Sequence, residues 1–416
     1  MFRFFKNKDL LLTGLASVVP LVCQLFFISY VSYNVPLDLY GKYVILLVFV
    51  SGCNLIGMSL VQSSAVRFYH EVQDKTQFIG EQAALVILTS CLFLPLFLLY
   101  FFLNDDYSFL IGVALFCYFL FINILTLAKS MVLQALKRGL YLLFVISETF
   151  SNFILPLLSF QIWPTLEGLV FGISIGTLSS SVFIFLFSKN LTFSTFKIKY
   201  ANLKNYFNYS YPFVFASIGS WLISFSDRYF IDWLLSSSAV GVYALLSQFG
   251  GAMFVIGGFI SLYINPILLS EFVVNKNKTI QKFKQYSLII LIILLVSSLV
   301  AVNLPDFIYT LFLSEDVIFK DENFAVMVTL LFAISILIFA NYIGNYFILL
   351  KKTKALVPIW FFAAILNIAG NFFLIPIYGL YGAALSTLIA YTTVFLLFLG
   401  YVLIAERNTK AENVHV

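Results

Sequence analysis

The chain consists of long apolar runs with almost no charge, separated by short segments that hold most of the polar side chains. A helix needs about 20 apolar residues to cross the hydrocarbon core of a bilayer. Twelve runs meet this need, and Pro376 and Gly379 divide the last two, which form one uncharged stretch. The runs cover residues 10–31, 43–66, 82–103, 107–128, 139–160, 168–188, 206–234, 239–268, 285–304, 323–350, 355–376 and 379–405. The pattern predicts an all-α polytopic membrane protein with twelve transmembrane helices.

The connecting segments differ in charge when they are assigned alternately to two sides of the membrane. One side receives 21 of the 24 lysines and arginines, and the other receives only Lys42, Arg228 and Lys320. Short loops rich in Lys and Arg face the cytoplasm. We therefore expect both termini to be cytoplasmic and the protein to lie in a bacterial inner (plasma) membrane. The net charge of +5 comes from these loops and does not indicate a nucleic-acid partner.

The composition agrees with a membrane protein and gives no sign of a cofactor. The chain is 62% hydrophobic and 10% charged, whereas soluble domains are near 45–50% apolar and 25% charged. The four cysteines lie one to a run, which predicts neither a disulfide framework nor a metal site. The sequence contains no glycine-rich phosphate loop, so we expect no direct use of ATP. Its two histidines, His70 and His415, form no zinc-binding motif, and we expect no catalytic residue.

The two halves of the chain resemble each other. Matching residues are separated by 200 positions early in each half and by 214 positions later. The pairs are Gly41 with Gly241, Glu71 with Glu271, Lys137 with Lys351, and Gly168 with Gly382. Because each half has an even number of spans, the halves share one orientation, as in transporters whose halves rock about a central site. We predict two pseudo-symmetric six-helix bundles, 1–188 and 206–416, joined by a cytoplasmic linker at 189–205.

Three stretches carry a resemblance to a known family. They are Leu39-Tyr40-Gly41-Lys42-Tyr43, Asp227-Arg228-Tyr229-Phe230-Ile231, and the segment from Asn367 through Ile375-Pro376-Ile377-Tyr378-Gly379-Leu380-Tyr381-Gly382-Ala383-Ala384. They resemble the polysaccharide (O-antigen type) flippases of the multidrug/oligosaccharidyl-lipid/polysaccharide exporter superfamily. The resemblance implies movement of an undecaprenyl-pyrophosphate-linked oligosaccharide from the inner to the outer leaflet, for O-antigen, lipopolysaccharide or capsule synthesis. It also implies contact with membrane lipids, an O-antigen polymerase and a chain-length regulator.

Charged residues inside the runs are candidates for function, because a charge at bilayer depth costs at least about 2.5–3.5 kcal/mol. Glu148 is the deepest, roughly 15 Å along the helix axis from Arg138 at 1.5 Å per residue. It is a candidate for coupling transport to H⁺ or Na⁺. The alternative is a hydrogen-bonded carboxyl in a polar seam between helices.

Asp227 and Arg228 are near the outer end of the seventh run. The Arg228 guanidinium is a candidate for binding a pyrophosphate or an acidic sugar. The alternative is an interfacial arginine paired with Asp232, one helical turn further on. Adjacent helix positions point about 100° apart, so we expect Asp227 and Arg228 to face different partners. Asp227 is a second candidate for coupling.

Further candidates are two cations and two pairs of asparagines. Arg67 and Lys129, at the inner ends of the second and fourth runs, are predicted pyrophosphate contacts; their alternatives are a topology anchor and a snorkelling side chain. The asparagine pairs are one helical turn apart and suit sugar hydroxyls, or else hydrogen bonds between helices. These pairs are Asn341 with Asn345, and Asn367 with Asn371.

Other classes of protein fit the sequence less well. A glycosyltransferase or O-antigen polymerase typically carries its catalytic groups on large outer loops, and the outer loops here are short. A structural membrane protein has no need to bury Glu148. A cation-coupled multidrug exporter of the same superfamily shares the predicted repeat and remains the alternative function.

Overall fold

The computed structural model describes residues 7–69, 71–104, 107–187, 199–350 and 353–414. These described residues form helices and turns, with no β-strand among them, which confirms the all-α class. Part of the predicted linker 189–205 lies outside the described residues, as do the loop cations Arg3, Lys6, Lys189, Lys197, Lys351 and Lys352.

The helices follow the apolar runs. Those before residue 235 are α1 (Asn7–Asn34), α2 (Leu37–Phe68), α3 (Lys75–Leu103), α4 (Phe109–Gln134), α5 (Arg138–Thr149), α6 (Leu155–Ile162), α7 (Leu166–Phe187) and α8 (Tyr200–Leu234). Those after it are α9 (Ser237–Gly250), α10 (Phe254–Phe259), α11 (Asn265–Val274), α12 (Lys276–Val302), α13 (Asp306–Thr310), α14 (Glu315–Ile318), α15 (Asn323–Leu349) and α16 (Leu356–Val414). A π-helical segment, Phe150–Ile154, joins α5 to α6, and a second, Ile260–Ile264, joins α10 to α11.

Polar residues between the runs cap these helices. The side chains of Asp74 and Ser108 accept hydrogen bonds from the first-turn amides of α3 and α4. Ser236 and Asn275 do the same for α9 and α12. Such caps satisfy amide groups that have no partner inside the helix. The short polar segments therefore fix where each apolar helix begins.

Ten helical segments of the described residues are long and apolar enough to cross a membrane. They are Leu11–Asn34, Leu37–Phe68, Lys75–Leu103, Phe109–Gln134, Arg138–Ile162, Leu166–Leu186, Ser237–Ile264, Lys276–Val302, Asn323–Leu349 and Leu356–Ile404. α8 is not among the ten, and α16 contributes one continuous segment. The chain is therefore a multi-pass membrane protein, while the count of twelve spans and the cytoplasmic termini stay predictions.

The continuous segment α16 is a helical hairpin. Gly379 has φ of 56° and ψ of −135°, outside the helical region. A Cβ atom on Gly382 would lie 2.3 Å from the carbonyl oxygen of Leu374, and one on Gly370 would lie 2.5 Å from Ser386 Oγ. Residues eight and sixteen positions apart touch only if the helix reverses direction. The reversal occurs at the turn that the sequence predicts at Pro376 and Gly379.

The helices α6 and α7 form a hairpin of the same kind. A Cβ atom on Gly168 would lie 2.0 Å from the carbonyl oxygen of Trp163, and one on Gly172 would lie 2.6 Å from Pro156 Cα. Gly168 and Gly382 are 214 positions apart, the offset of the sequence repeat. Glycine lets two helix backbones approach closely in a membrane, where burial away from lipid gives little driving force for association.

Replacing Gly382 with alanine should destabilise the protein, because the new methyl group has no room beside the Leu374 backbone. Overpacking of this kind costs about 1–3 kcal/mol. Gly400→Ala, in the same α16, is the matched control, since nothing lies within 4 Å of its Cβ position. Thermal unfolding in detergent should show a lower midpoint for Gly382→Ala only. Equal midpoints for the two variants would contradict the hairpin geometry.

The chain forms two compact units, Met1–Ile218 and Gly219–Val416. In the first unit α4 contacts α2, α3, α5 and α7, so it lies in the interior of the unit. In the second unit α15 lies in the interior, where it contacts α9, α12 and α16. The helices α3 and α12 are little buried and expose leucine and isoleucine side chains, as expected of surfaces that face lipid. The predicted boundaries of the two six-helix halves remain predictions.

Candidate functional site

The first unit holds an ion pair between two predicted site residues. Lys129 Nζ on α4 contacts Glu148 Oε2 on α5, and the two side chains are 22% and 16% exposed. The phenols of Tyr118 and Tyr141 are close enough to Glu148 to interact with it electrostatically. Sequence reasoning named Lys129 and Glu148 separately, and the structure brings them together.

A serine cluster fixes the helix that carries Glu148. Ser147 Oγ donates to Ser180 Oγ of α7 over 2.8 Å, and Ser151 Oγ donates to the carbonyl of Gly176 over 2.7 Å. Ser151 is in the π-helical segment Phe150–Ile154, which begins two residues after Glu148. π-helical turns inside α-helices frequently occur at functional sites. The carboxylate therefore lies between a helix hydrogen-bonded to α7 and an irregular turn.

The second unit contains a more deeply buried pair, Asp227 and Arg228 of α8. Their side chains are 2% and 11% exposed. Arg228 Nη1 donates to Asp227 Oδ1 over 2.7 Å, and Tyr243 OH donates to Asp227 Oδ2 over 2.7 Å. Arg228 Nη2 donates to Ser247 Oγ over 3.0 Å. Asp227 thus accepts bonds from two neighbours and neutralises the guanidinium.

This arrangement corrects two expectations about Arg228. We expected Asp227 and Arg228 to face different partners, but they bind each other. The long arginine side chain folds back along its own helix, where Nη1 also donates to the carbonyl of Ser224 over 2.7 Å. The alternative partner, Asp232, instead accepts a hydrogen bond from Ser237 Oγ over 2.6 Å.

The asparagines Asn367 and Asn371 are fully buried beside this pair. Asn367 Oδ1 accepts from Ser226 Oγ of α8 over 3.2 Å, and Asn367 Nδ2 donates to Ser386 Oγ over 3.3 Å. Asn371 Nδ2 donates to Asn367 Oδ1 over 3.2 Å, while Asn371 Oδ1 has no hydrogen-bond partner in the described part of the chain. Of the two alternatives for this pair, the structure shows bonds between helices.

Asn341 and Asn345 lie on one side of α15 and line a cavity in the second unit. Asn341 is exposed, and Asn345 Nδ2 donates to Asn265 Oδ1 over 3.1 Å. The structure therefore separates the two asparagine pairs: one lines open space and the other is part of the packed interior.

Arg67 is at the end of α2 and is half-exposed. Its Nη1 contacts Glu71 Oε1 at 2.5 Å, four residues further on. Glu71 and Glu271 are 200 positions apart, and Glu271 Oε1 also binds a cation, Lys282 Nζ, at 2.5 Å. All three cations predicted to bind pyrophosphate, Arg67, Lys129 and Arg228, are thus paired with carboxylates.

Sequence reasoning missed a buried carboxylate at Glu81. Its side chain accepts hydrogen bonds from Tyr206 OH over 2.7 Å, Asn202 Nδ2 over 2.9 Å and Gln77 Nε2 over 2.9 Å. Glu81 lies next to the second loop on the basic side, where a carboxylate is expected to be solvated. Two of its donors are on α8, more than 100 positions away, so no local pattern reveals the cluster.

Comparison with protein-family models gives a match over residues 8–263 to a family described as "Polysaccharide biosynthesis protein". The chain belongs to this family. The match confirms the resemblance noted in the sequence. A search of curated proteins found no match.

Solved structures with the same fold include a lipid II flippase and multidrug transporters. The lipid II flippase MurJ, in an inward closed conformation, matches with a TM-score of 0.71 at 15% identity, over 95% of this chain and 87% of that one. A multidrug resistance MATE family transporter of the MOP superfamily, in an inward-facing conformation, matches with a TM-score of 0.72 at 14% identity, over 96% of both chains. A Vibrio cholerae MATE transporter matches with a TM-score of 0.67 at 12% identity, over 97% of this chain and 96% of that one. This member of the polysaccharide biosynthesis family therefore has the MurJ and MATE fold.

Proposed function

We propose that the chain is a flippase of a bacterial inner membrane. Its substrate is an undecaprenyl-pyrophosphate-linked oligosaccharide repeat unit, which it moves to the outer leaflet by alternating access for surface polysaccharide synthesis. The observation that carries the proposal is the family match, which covers residues 8–263 and is described by polysaccharide biosynthesis. The presence of a lipid II flippase among proteins of the same fold supports a lipid-linked substrate.

The Lys129–Glu148 pair suggests how an anionic headgroup is bound within the membrane. Phosphate oxygens keep a charge that lipid does not solvate, so they need a fixed cation. Lys129 becomes available when Glu148 is protonated or when phosphate displaces its carboxylate. Glu148 then couples headgroup binding to proton movement. Proton coupling by Glu148 and phosphate binding by Lys129 are in this way parts of one exchange of Lys129 between carboxylate and phosphate.

Arg67 and Arg228 fit the same scheme. Each guanidinium binds one carboxylate, Glu71 or Asp227, and a guanidinium fork binds phosphate with two parallel hydrogen bonds. Asp227 is the second proposed coupling group, because its negative charge holds Arg228 in place. The membrane potential adds a driving force, since each negative charge moved outward gains about 2.3 kcal/mol per 100 mV.

The alternative function is cation-coupled multidrug export, which the matching MATE structures support.

The family description and the transporter fold both weigh against an enzyme. Contacts with an O-antigen polymerase and a chain-length regulator belong to the proposal as well.

Transport by the purified protein in proteoliposomes separates the two functions. We expect a fluorescent polyisoprenyl-diphosphate-linked oligosaccharide to cross the bilayer. A membrane potential that is negative inside should accelerate its outward movement. A cationic dye of the kind exported by multidrug transporters should not move. Export of the dye without movement of the glycolipid would overturn the proposal in favour of the alternative. Protein-free vesicles are the control for spontaneous flipping.

A further inference from the structure

A cavity of about 420 Å³ lies within the second unit, between α10, the π-helical segment that follows it, α15 and the beginning of α16. Small-molecule pockets are about 300–1,000 Å³, so this cavity suits about one or two sugar rings rather than a whole repeat unit. Its polar lining comes from Ser261, Asn265, Asn341 and Asn345. Trp360 is one of its aromatic lining residues, and it packs closely against Gly219 of α8.

Every residue that lines the cavity is neutral. A phosphate, a uronic acid or a drug cation would lose its hydration there without gaining an opposite charge, which is costly. The lining instead combines amides and a hydroxyl with apolar and aromatic surface. Neutral ligands with many hydroxyl groups match this combination, because each hydroxyl both donates and accepts hydrogen bonds.

The amide groups retain bonding capacity for such a ligand. Asn341 makes no hydrogen bond with other described residues and is exposed. Asn345 and Asn265 both line the cavity and share one bond between Nδ2 and Oδ1, so Asn345 Oδ1 and Asn265 Nδ2 are not used in that bond. Asn341 and Asn345 are one helical turn apart, so their amides present donors and acceptors at neighbouring points.

The backbone around the cavity is irregular where it meets these amides. Ser261 is inside the π-helical segment Ile260–Ile264, and Asn265 follows it directly. Gly257 and Gly258, one turn earlier, line the cavity without side chains to fill it. π-helical turns are rare and frequent at functional sites, and here one turn directs both polar side chains into the opening.

We propose that this cavity binds one neutral sugar unit of the transported glycan. The inference rests on the proposed flippase function and adds the part of the headgroup that the second unit recognises. The pyrophosphate is bound elsewhere, at the cations. Neutral hexose or N-acetylhexosamine units are accepted, whereas a hexuronic acid in the same position is rejected.

Transport of matched lipids tests this proposal. Three polyisoprenyl diphosphates are compared in proteoliposomes: one carries an N-acetylhexosamine, one a hexuronic acid and one no sugar. Asn341→Leu and Asn345→Leu should each slow the N-acetylhexosamine lipid about tenfold, since one lost hydrogen bond is worth about 1.4 kcal/mol. Both variants should change transport of the sugar-free lipid less than twofold. Thr329→Val, on the same α15, is the control, because its hydroxyl bonds only its own helix.

Binding of free sugar distinguishes failure of this inference from failure of the proposed function. In a variant with Trp163, Trp221 and Trp233 changed to phenylalanine, free N-acetylhexosamine should alter Trp360 fluorescence, and Asn341→Leu should weaken the response about tenfold. Unchanged fluorescence, or equal slowing of all three lipids, would overturn the sugar site while wild-type transport upholds the flippase. If the wild-type protein moves none of the lipids, the proposed function fails, and this inference fails with it.

Discussion

Glu148→Gln should abolish the response of transport to an imposed pH gradient and slow substrate movement at least about tenfold. In the proposed mechanism, Lys129 leaves the Glu148 carboxylate to bind the substrate phosphate and then returns to it. Glutamine still fills the space but cannot take up or release a proton. The measurement is glycolipid transport in proteoliposomes with and without a pH gradient at constant membrane potential. Full activity and an unchanged gradient response in Glu148→Gln would remove the coupling role.

A double-mutant cycle separates this role from a structural one. Removing one partner of a buried ion pair costs about 3–5 kcal/mol, and we expect about 1–3 kcal/mol here because Lys129 and Glu148 are 22% and 16% exposed. Lys129→Gln with Glu148→Gln should recover most of the stability that either single change loses, but should not recover transport. Recovery of both would show that the pair only supports the fold.

A surface pair provides the matched control for these charge changes. Lys42 Nζ is 3.2 Å from Asp38 Oδ2, and both side chains are substantially exposed. Exposed pairs contribute about 0–1 kcal/mol. Asp38→Asn should therefore leave both the unfolding midpoint and transport close to wild type. A loss comparable to that of Glu148→Gln would mean that the assay responds to any change of charge.

The apolar runs and turn residues predicted much of the fold. Twenty or more uncharged residues admit only a membrane-spanning or buried helix, and the hairpin at Gly379 follows from a proline and glycine within one long run. One pair from the predicted repeat has a packing reason: Gly168 and Gly382 each lie close to the backbone of the preceding helical segment or its end. Turns and close backbone approaches require glycine or proline at particular positions, so they can be recognised from the sequence.

The charged residues inside the helices could be named from sequence, but their partners could not. Rarity of charge inside the runs identified Glu148, Asp227 and Arg228. Lys129 and Glu148 are on different helices, and only packing decides which faces meet. The prediction that Asp227 and Arg228 face different partners was wrong, because the long Arg228 side chain bends back to Asp227. Glu81 went unnoticed since its donors come from a distant part of the chain.

Asp227→Asn should be the most destabilising of the proposed substitutions. The asparagine keeps the shape of the side chain, but it leaves the Arg228 guanidinium without a counter-charge in a site where the two side chains are 2% and 11% exposed. Breaking a buried pair in this way costs about 3–5 kcal/mol. We expect a large fall in the unfolding midpoint in detergent and loss of transport in proteoliposomes.

Two milder variants identify the charge as the cause. Tyr243→Phe removes one hydrogen bond to Asp227 while the ion pair persists, so it should cost only about 1 kcal/mol. Asp232→Asn, on the same α8, alters an aspartate that binds Ser237 rather than Arg228, and should have a similarly small effect. If Asp232→Asn destabilises the protein as much as Asp227→Asn, then Asp232 is the counter-charge of Arg228 and the arrangement described here is wrong. If both aspartate variants are mild, the guanidinium is solvated, and Arg228 is free to bind phosphate without displacing a carboxylate.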